Sequence, residues 1–100
     1  MRKGEKIQRH NHSSAQEALK YSQVSGNLFI CSDHETKTWY EQEPVINSPG
    51  CITLFPSFVN HETDQYMGDE VRISIAFDIK NETDWKVNVY DKAKHHWIKL

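Results

Sequence analysis

The stretch VRISIAFDI, residues 71–79, alternates without a break. Val71, Ile73, Ile75, Phe77 and Ile79 fall on one side, and Arg72, Ser74, Ala76 and Asp78 on the other. A period of two belongs to an extended strand, whose successive side chains point to opposite faces. In an ordinary sandwich the second face is solvated. In a small barrel it lines a polar cavity, and the apolar face packs against a flanking layer or another subunit. The alternation fits both.

Other segments read the same way. GNLFICS (26–32), TKTWY (36–40), CITLF (51–55) and WKVNVY (85–90) carry strand-forming residues. EKIQRHNH (5–12) alternates too, with Lys6, Gln8, His10 and His12 on one side and Ile7 opposite. Turn signals separate these runs: SDHE, NSPG, TDQYMGDE and KNET. SSAQEALKYS (13–22) is the one helical candidate, with Glu17 at capping-box distance from Ser14. Short strands at regular spacing predict an all-β sandwich or barrel. With 100 residues, one domain over 1–100 is expected. At 37% apolar residues the core is lean, so help from a metal or a second copy is expected.

A net charge of −2 offers no basic face for nucleic acid. No run approaches the length of a membrane span, and the opening MRKGEKIQRHNH lacks the apolar centre of a signal peptide. A reducing, cytoplasmic setting follows as the expectation. There Cys31 and Cys51 are thiols and read as small buried hydrophobes.

His10 and His12 are the chemistry-bearing pair. At i and i+2 on a strand they project to one side about 7 Å apart, close enough to converge on one ion. They read equally as two solvated polar residues. A third ligand has to come from another strand, and His61, after PGCITLFPSFVNH, is the candidate. Arg72 has three readings: a carboxylate clamp, an ion pair with Glu70 or Asp78, or a solvated strand residue. Phe29, Trp39 and Tyr40 read as barrel packing, and Phe55 and Phe58 as core. His34, His95 and His96 read as surface.

Two family resemblances attach to these residues. Gly4, His10-Asn11-His12 and Glu17, followed by Gly50, Pro56 and His61, resemble the paired cupin motifs. Phe58, Gln65 and the late Gly26 depart from that pattern. GCITLFPSFVNHETDQYMGDEVRISIAFDI (50–79), with HNH (10–12) and VSGNLFI (24–30) before it, more closely resembles 2-oxoglutarate, Fe(II)-dependent oxygenases of phage and marine bacterial type. That likeness covers about residues 8–79, leaving 80–100 as C-terminal strands or tail. Both families imply a double-stranded β-helix, the cupin-like jelly roll.

The oxygenase resemblance implies roles for single residues. His61 is the distal metal ligand and His10 the first proximal one. Arg72 pairs with the far carboxylate of 2-oxoglutarate, and Ser74 donates a hydroxyl to it. Fe(II) and 2-oxoglutarate are the implied cofactor and cosubstrate, and the substrate is an unspecified small molecule or protein. The departure lies at position 12, where the usual two-histidine, one-carboxylate site has a carboxylate and this chain has His12. The site then has three histidines, or takes a carboxylate from Glu17, Glu62 or Asp64, or has lost activity. The competing functions are a small metal-binding cupin that uses no 2-oxoglutarate and a non-catalytic jelly-roll accessory protein. Two structural expectations complete the reading. A homodimer is expected, its partner covering the apolar side of 71–79 or an edge strand. The 13–23 segment is expected to lie over the site as a lid.

Overall fold

The computed structural model describes residues 1–21, 23–31 and 36–80. They form one short helix and six strands: α1 (Ala15–Tyr21), β1 (Val24–Cys31), β2 (Thr36–Tyr40), β3 (Glu43–Asn47), β4 (Ile52–Pro56), β5 (His61–Thr63) and β6 (Ile73–Ile79). All strand pairs are antiparallel. They make two sheets of three strands, ordered β4-β1-β6 and β3-β2-β5. The fold is all-β and jelly-roll-like. No described helix is long and apolar enough to cross a membrane. The SDHE turn, His34 and the run 85–90 lie outside the described residues, as do His95 and His96.

Helix α1 has the predicted capping box. The Glu17 amide donates to Ser14 Oγ at 3.2 Å, and the Ser14 amide donates to Glu17 Oε2 at 3.4 Å. Each satisfies an amide that the first helical turn leaves without a partner.

Two strands escape the sequence reading. β3 contains Pro44, which cannot donate to a ladder, and it lies at a sheet edge where that loss is tolerated. β5 has only three residues. That brevity also explains why residues 5–12 form no regular strand. They run beside β5 and the loop after it through scattered backbone bonds, Thr63 to Ile7 and Tyr66 to Glu5, with one β-bridge at His10 and His61.

The register assigns the faces. In the first sheet Gly26 lies between Leu54 and Phe77, and Leu28 between Ile52 and Ile75, all on one side. The other side carries Ser25, Phe29 and Phe55, which are buried. The inner side of the second sheet presents Thr36, Thr38, Tyr40, Asn47, His61 and Thr63, all buried. Contacts join the two inner sides: the Tyr40 and Phe55 rings are 4.8 Å apart, and the Phe55 and His61 rings 4.7 Å.

The interior is therefore mostly polar. Among the described residues the buried apolar ones are Ala18, Phe29, Tyr40, Phe55 and Tyr66, fewer than the buried polar ones. Those polar groups are paired where they meet. Thr38 and Asn47 share two side-chain bonds at 2.9 and 3.1 Å. Ser25 Oγ donates to Asp78 Oδ1 at 2.6 Å, so the 3.3 Å bond to Ser57 has Ser57 as donor. Of the polar side of 71–79 only Arg72 turns inward, as the barrel reading expects; Ser74, Ala76 and Asp78 are exposed, as the sandwich reading expects. Arg72 is buried, while Ile73, Ile75 and Ile79 are exposed. Cys51 is exposed, contrary to its reading as a buried hydrophobe, because it precedes β4 on the turn after Gly50.

Candidate metal centre

The ring nitrogens of His10, His12 and His61 all lie within 4.8 Å of one another. Backbone pairing brings two of the three together. His10 and His61 exchange both amide bonds, at 3.1 and 2.9 Å, which is the narrow pair of an antiparallel bridge. The His12 amide donates to the Ser57 carbonyl at 2.9 Å. The three ligands are thus held at their backbones by the segments around β4 and β5.

Two neighbouring carbonyls set the tautomers. Nδ1 of His10 is 2.7 Å from the Gln8 carbonyl, and Nδ1 of His61 is 3.0 Å from the Val59 carbonyl. Each Nδ1 is then the protonated nitrogen, leaving Nε2 with a free lone pair, the arrangement that orients metal-ligating histidines. Nε2 of His12 lies 3.3 Å from Nε2 of His61. Two metal–nitrogen bonds of about 2.1 Å meeting near a right or tetrahedral angle separate the nitrogens by about 3.0–3.4 Å. The His12–His61 spacing fits such a pair, and the third ring nitrogen lies within 4.8 Å. His61 is buried, and His10 and His12 are exposed, so the centre opens to solvent on one side. Burial pushes the His61 pKa down, and His10 and His12 push it further, against the Val59 carbonyl. The ring stays neutral, the form that ligates.

A clip flanks the histidines. Glu41 accepts from Arg9 Nη2 at 2.8 Å and from the Asn60 amide at 3.0 Å, and Asn60 Oδ1 accepts from Asn11 Nδ2 at 2.9 Å. Arg9 and Asn11 flank His10, and Asn60 precedes His61. Glu41 takes φ +56° in the tight β2–β3 turn, a conformation non-glycine residues seldom adopt.

Arg72 stands just before β6 and is 3% exposed. Its guanidinium lies 5.1 Å from the Phe29 ring centre. It forms no ion pair among the described residues, neither with Glu70 nor with Asp78. Its Nε is a buried donor with no partner. Burial pulls its pKa down and the phenols of Tyr40 and Tyr66 oppose this. A guanidinium stays charged regardless. An unpaired buried donor on a cation is costly, and it fits a carboxylate ligand. Tyr40, read from sequence as packing, links the two ends of the interior. Its ring stacks on His61 at 5.9 Å, and its hydroxyl accepts from Asn27 at 3.5 Å. The polar side of TKTWY, Thr36–Thr38–Tyr40, was the available signal.

Other predicted residues are placed differently. Ser74 is exposed, opposite Phe29. Glu17, Glu62 and Asp64 are not in the histidine group. Glu17 belongs to the capping box, Glu62 lies 3.7 Å from Arg9, and Asp64 accepts from the Trp39 indole at 2.9 Å. A surface groove of about 430 Å³ beside Lys6, Trp39 and Glu62 includes none of the three histidines.

Residues 1–78 match the family model described as “Putative 2OG-Fe(II) oxygenase”. No curated protein and no solved structure matches the chain.

Proposed function

The chain belongs to this 2OG-Fe(II) oxygenase family, and on that premise we propose that it catalyses a 2-oxoglutarate- and Fe(II)-dependent oxidation. His10, His12 and His61 would hold the metal. Bound Fe(II) supplies the redox chemistry that couples oxidative decarboxylation of 2-oxoglutarate to oxidation of a substrate. Three protein ligands leave positions on a metal for the cosubstrate and dioxygen.

The observation that carries the reading is the pairing of two unsatisfied features. Histidine lone pairs converge at the solvent end of the interior. A buried guanidinium, its Nε unpartnered and with no carboxylate on it among the described residues, lies within it. Arg72 takes the far carboxylate of 2-oxoglutarate, held flat by Phe29. Phe55, against both His12 and His61, keeps water off the inner side of the centre. The exposed His10 and His12 put the substrate on the outer side.

A three-histidine set also suits a metal centre that takes no 2-oxoglutarate. A buried Arg72 whose Nε is unpartnered among the described residues has no use in such a centre and favours the first reading. The test is an anaerobic titration of Fe(II) and 2-oxoglutarate, read by the visible charge-transfer absorption of the chelate. A band lost in both His61→Ala and Arg72→Met is expected. Metal binding with no band would sink the cosubstrate assignment.

A further inference from the structure

We propose that the outer face of the β4-β1-β6 sheet is a twofold interface between two copies of this chain. The face is continuous and uncharged. Ile52 and Leu54 on β4 and Ile73, Ile75 and Ile79 on β6 are 39–60% exposed. Between them β1 contributes Leu28 and Gly26. Gly26 keeps the surface flat, for a Cβ there would sit 2.5 Å from the Phe77 ring and 2.8 Å from Leu54. Those two side chains close over the glycine from either side.

The distribution of apolar residues is inverted. More large aliphatic side chains lie on this outer face than between the sheets, where polar residues predominate. Among the described residues the interior offers little apolar burial for a domain this small, so burying the outer face would add substantially to its stability. The face also suits a like surface. It offers no charge to select an unlike partner, and a flat face meets its own copy across a twofold axis. Face-to-face packing of twisted sheets is a standard arrangement. The area suffices. The exposed aliphatic side chains present about 500 Å² per copy, so a pair removes about 1,000 Å² before the rim is added, the level a specific interface reaches. The metal centre lies on the inner side of the sheets and stays open in such a pair. The inference therefore stands independently of the proposed reaction.

The test is sedimentation equilibrium of the full chain between about 1 and 200 µM. Twice the chain mass is expected over the upper part of that range. Ile75→Glu, on β6 in the row of Leu28 and Ile52, is expected to give a monomer. Because that change can unfold a chain that folds only as a pair, the milder Ile52→Thr on β4 is measured beside it, with the dissociation constant expected to rise at least about tenfold. Wild-type chain that stays monomeric throughout, whether residues 81–100 or another protein covers the face, overturns the proposal. So does association that Ile52→Thr leaves unchanged.

Discussion

Replacing Arg72 with methionine separates the two roles a buried arginine can have. Arg72 is 3% exposed, its Nε has no partner among the described residues, and its guanidinium lies 5.1 Å from the Phe29 ring. An unsatisfied buried donor costs about 1–3 kcal/mol, and desolvating the charge adds to that. The cation–π contact returns about 1–2 kcal/mol. Methionine keeps the packing of the stem and recovers about 0.3–1.5 kcal/mol through its own sulfur–aromatic contact. Ligand-free Arg72→Met is therefore expected to equal the wild type or exceed it by about 1–3 kcal/mol. Binding of 2-oxoglutarate changes in the opposite sense. Loss of a desolvated charge pair costs about 2–5 kcal/mol, or between about 30-fold and a few thousand-fold in affinity. Urea denaturation reads both quantities, with and without 2-oxoglutarate and a redox-inert divalent metal. A ligand at about 100 times its dissociation constant stabilises the wild type by about 2.7 kcal/mol, and the same concentration should leave the variant unmoved. Destabilisation of the ligand-free variant by more than about 3 kcal/mol would make Arg72 a structural residue and refute the reasoning. Ligand stabilisation that survives the substitution would place the carboxylate elsewhere.

Two further outcomes are expected. Glu41→Gly relieves a positive φ worth about 1 kcal/mol while deleting an exposed ion pair of similar size, so global stability should move by less than about 1 kcal/mol. Metal affinity should nonetheless fall several-fold, because Glu41 ties Arg9 to Asn60 beside His10 and His61; unchanged affinity in a calorimetric titration would show that the clip does not position the ligands. In metal-free protein, the burial-lowered pKa of His61 means the unfolded chain protonates first. Stability should be full above about pH 6.5 and fall as pH drops towards the folded value. His61→Asn should flatten that fall, and identical denaturation profiles for the two proteins would rule out His61 as its source.

Much of the architecture was legible because local pattern and tertiary role agreed. β1, β2, β4 and β6 are runs of branched and aromatic residues between turn signals, and Ser14 with Glu17 marks the helix start. β3 was hidden by Pro44 at an edge, and β5 by its length. The alternation in 71–79 was plain, but it does not say which side faces inward. That depends on the facing sheet, whose Thr36, Thr38 and Asn47 make the interior polar. The histidine group was legible from spacing and resemblance. Tyr40 and Glu41 were not. Tyr40 meets His61 only through cross-strand register, and Glu41 acts through a backbone turn that glycine would ordinarily occupy.

The reciprocal amide bridge between His10 and His61 has a consequence for how a metal would be acquired. Where ligands meet only in the presence of an ion, loading and folding are one event, and the ion that drives folding is selected by that energy. Here the peptide backbone assembles the ligands beforehand, so loading need only reorient two exposed imidazoles. Discrimination among divalent ions then falls to intrinsic imidazole affinity and cellular supply. A chain of this kind would take up the wrong metal as readily as the right one, and would release either without coming apart.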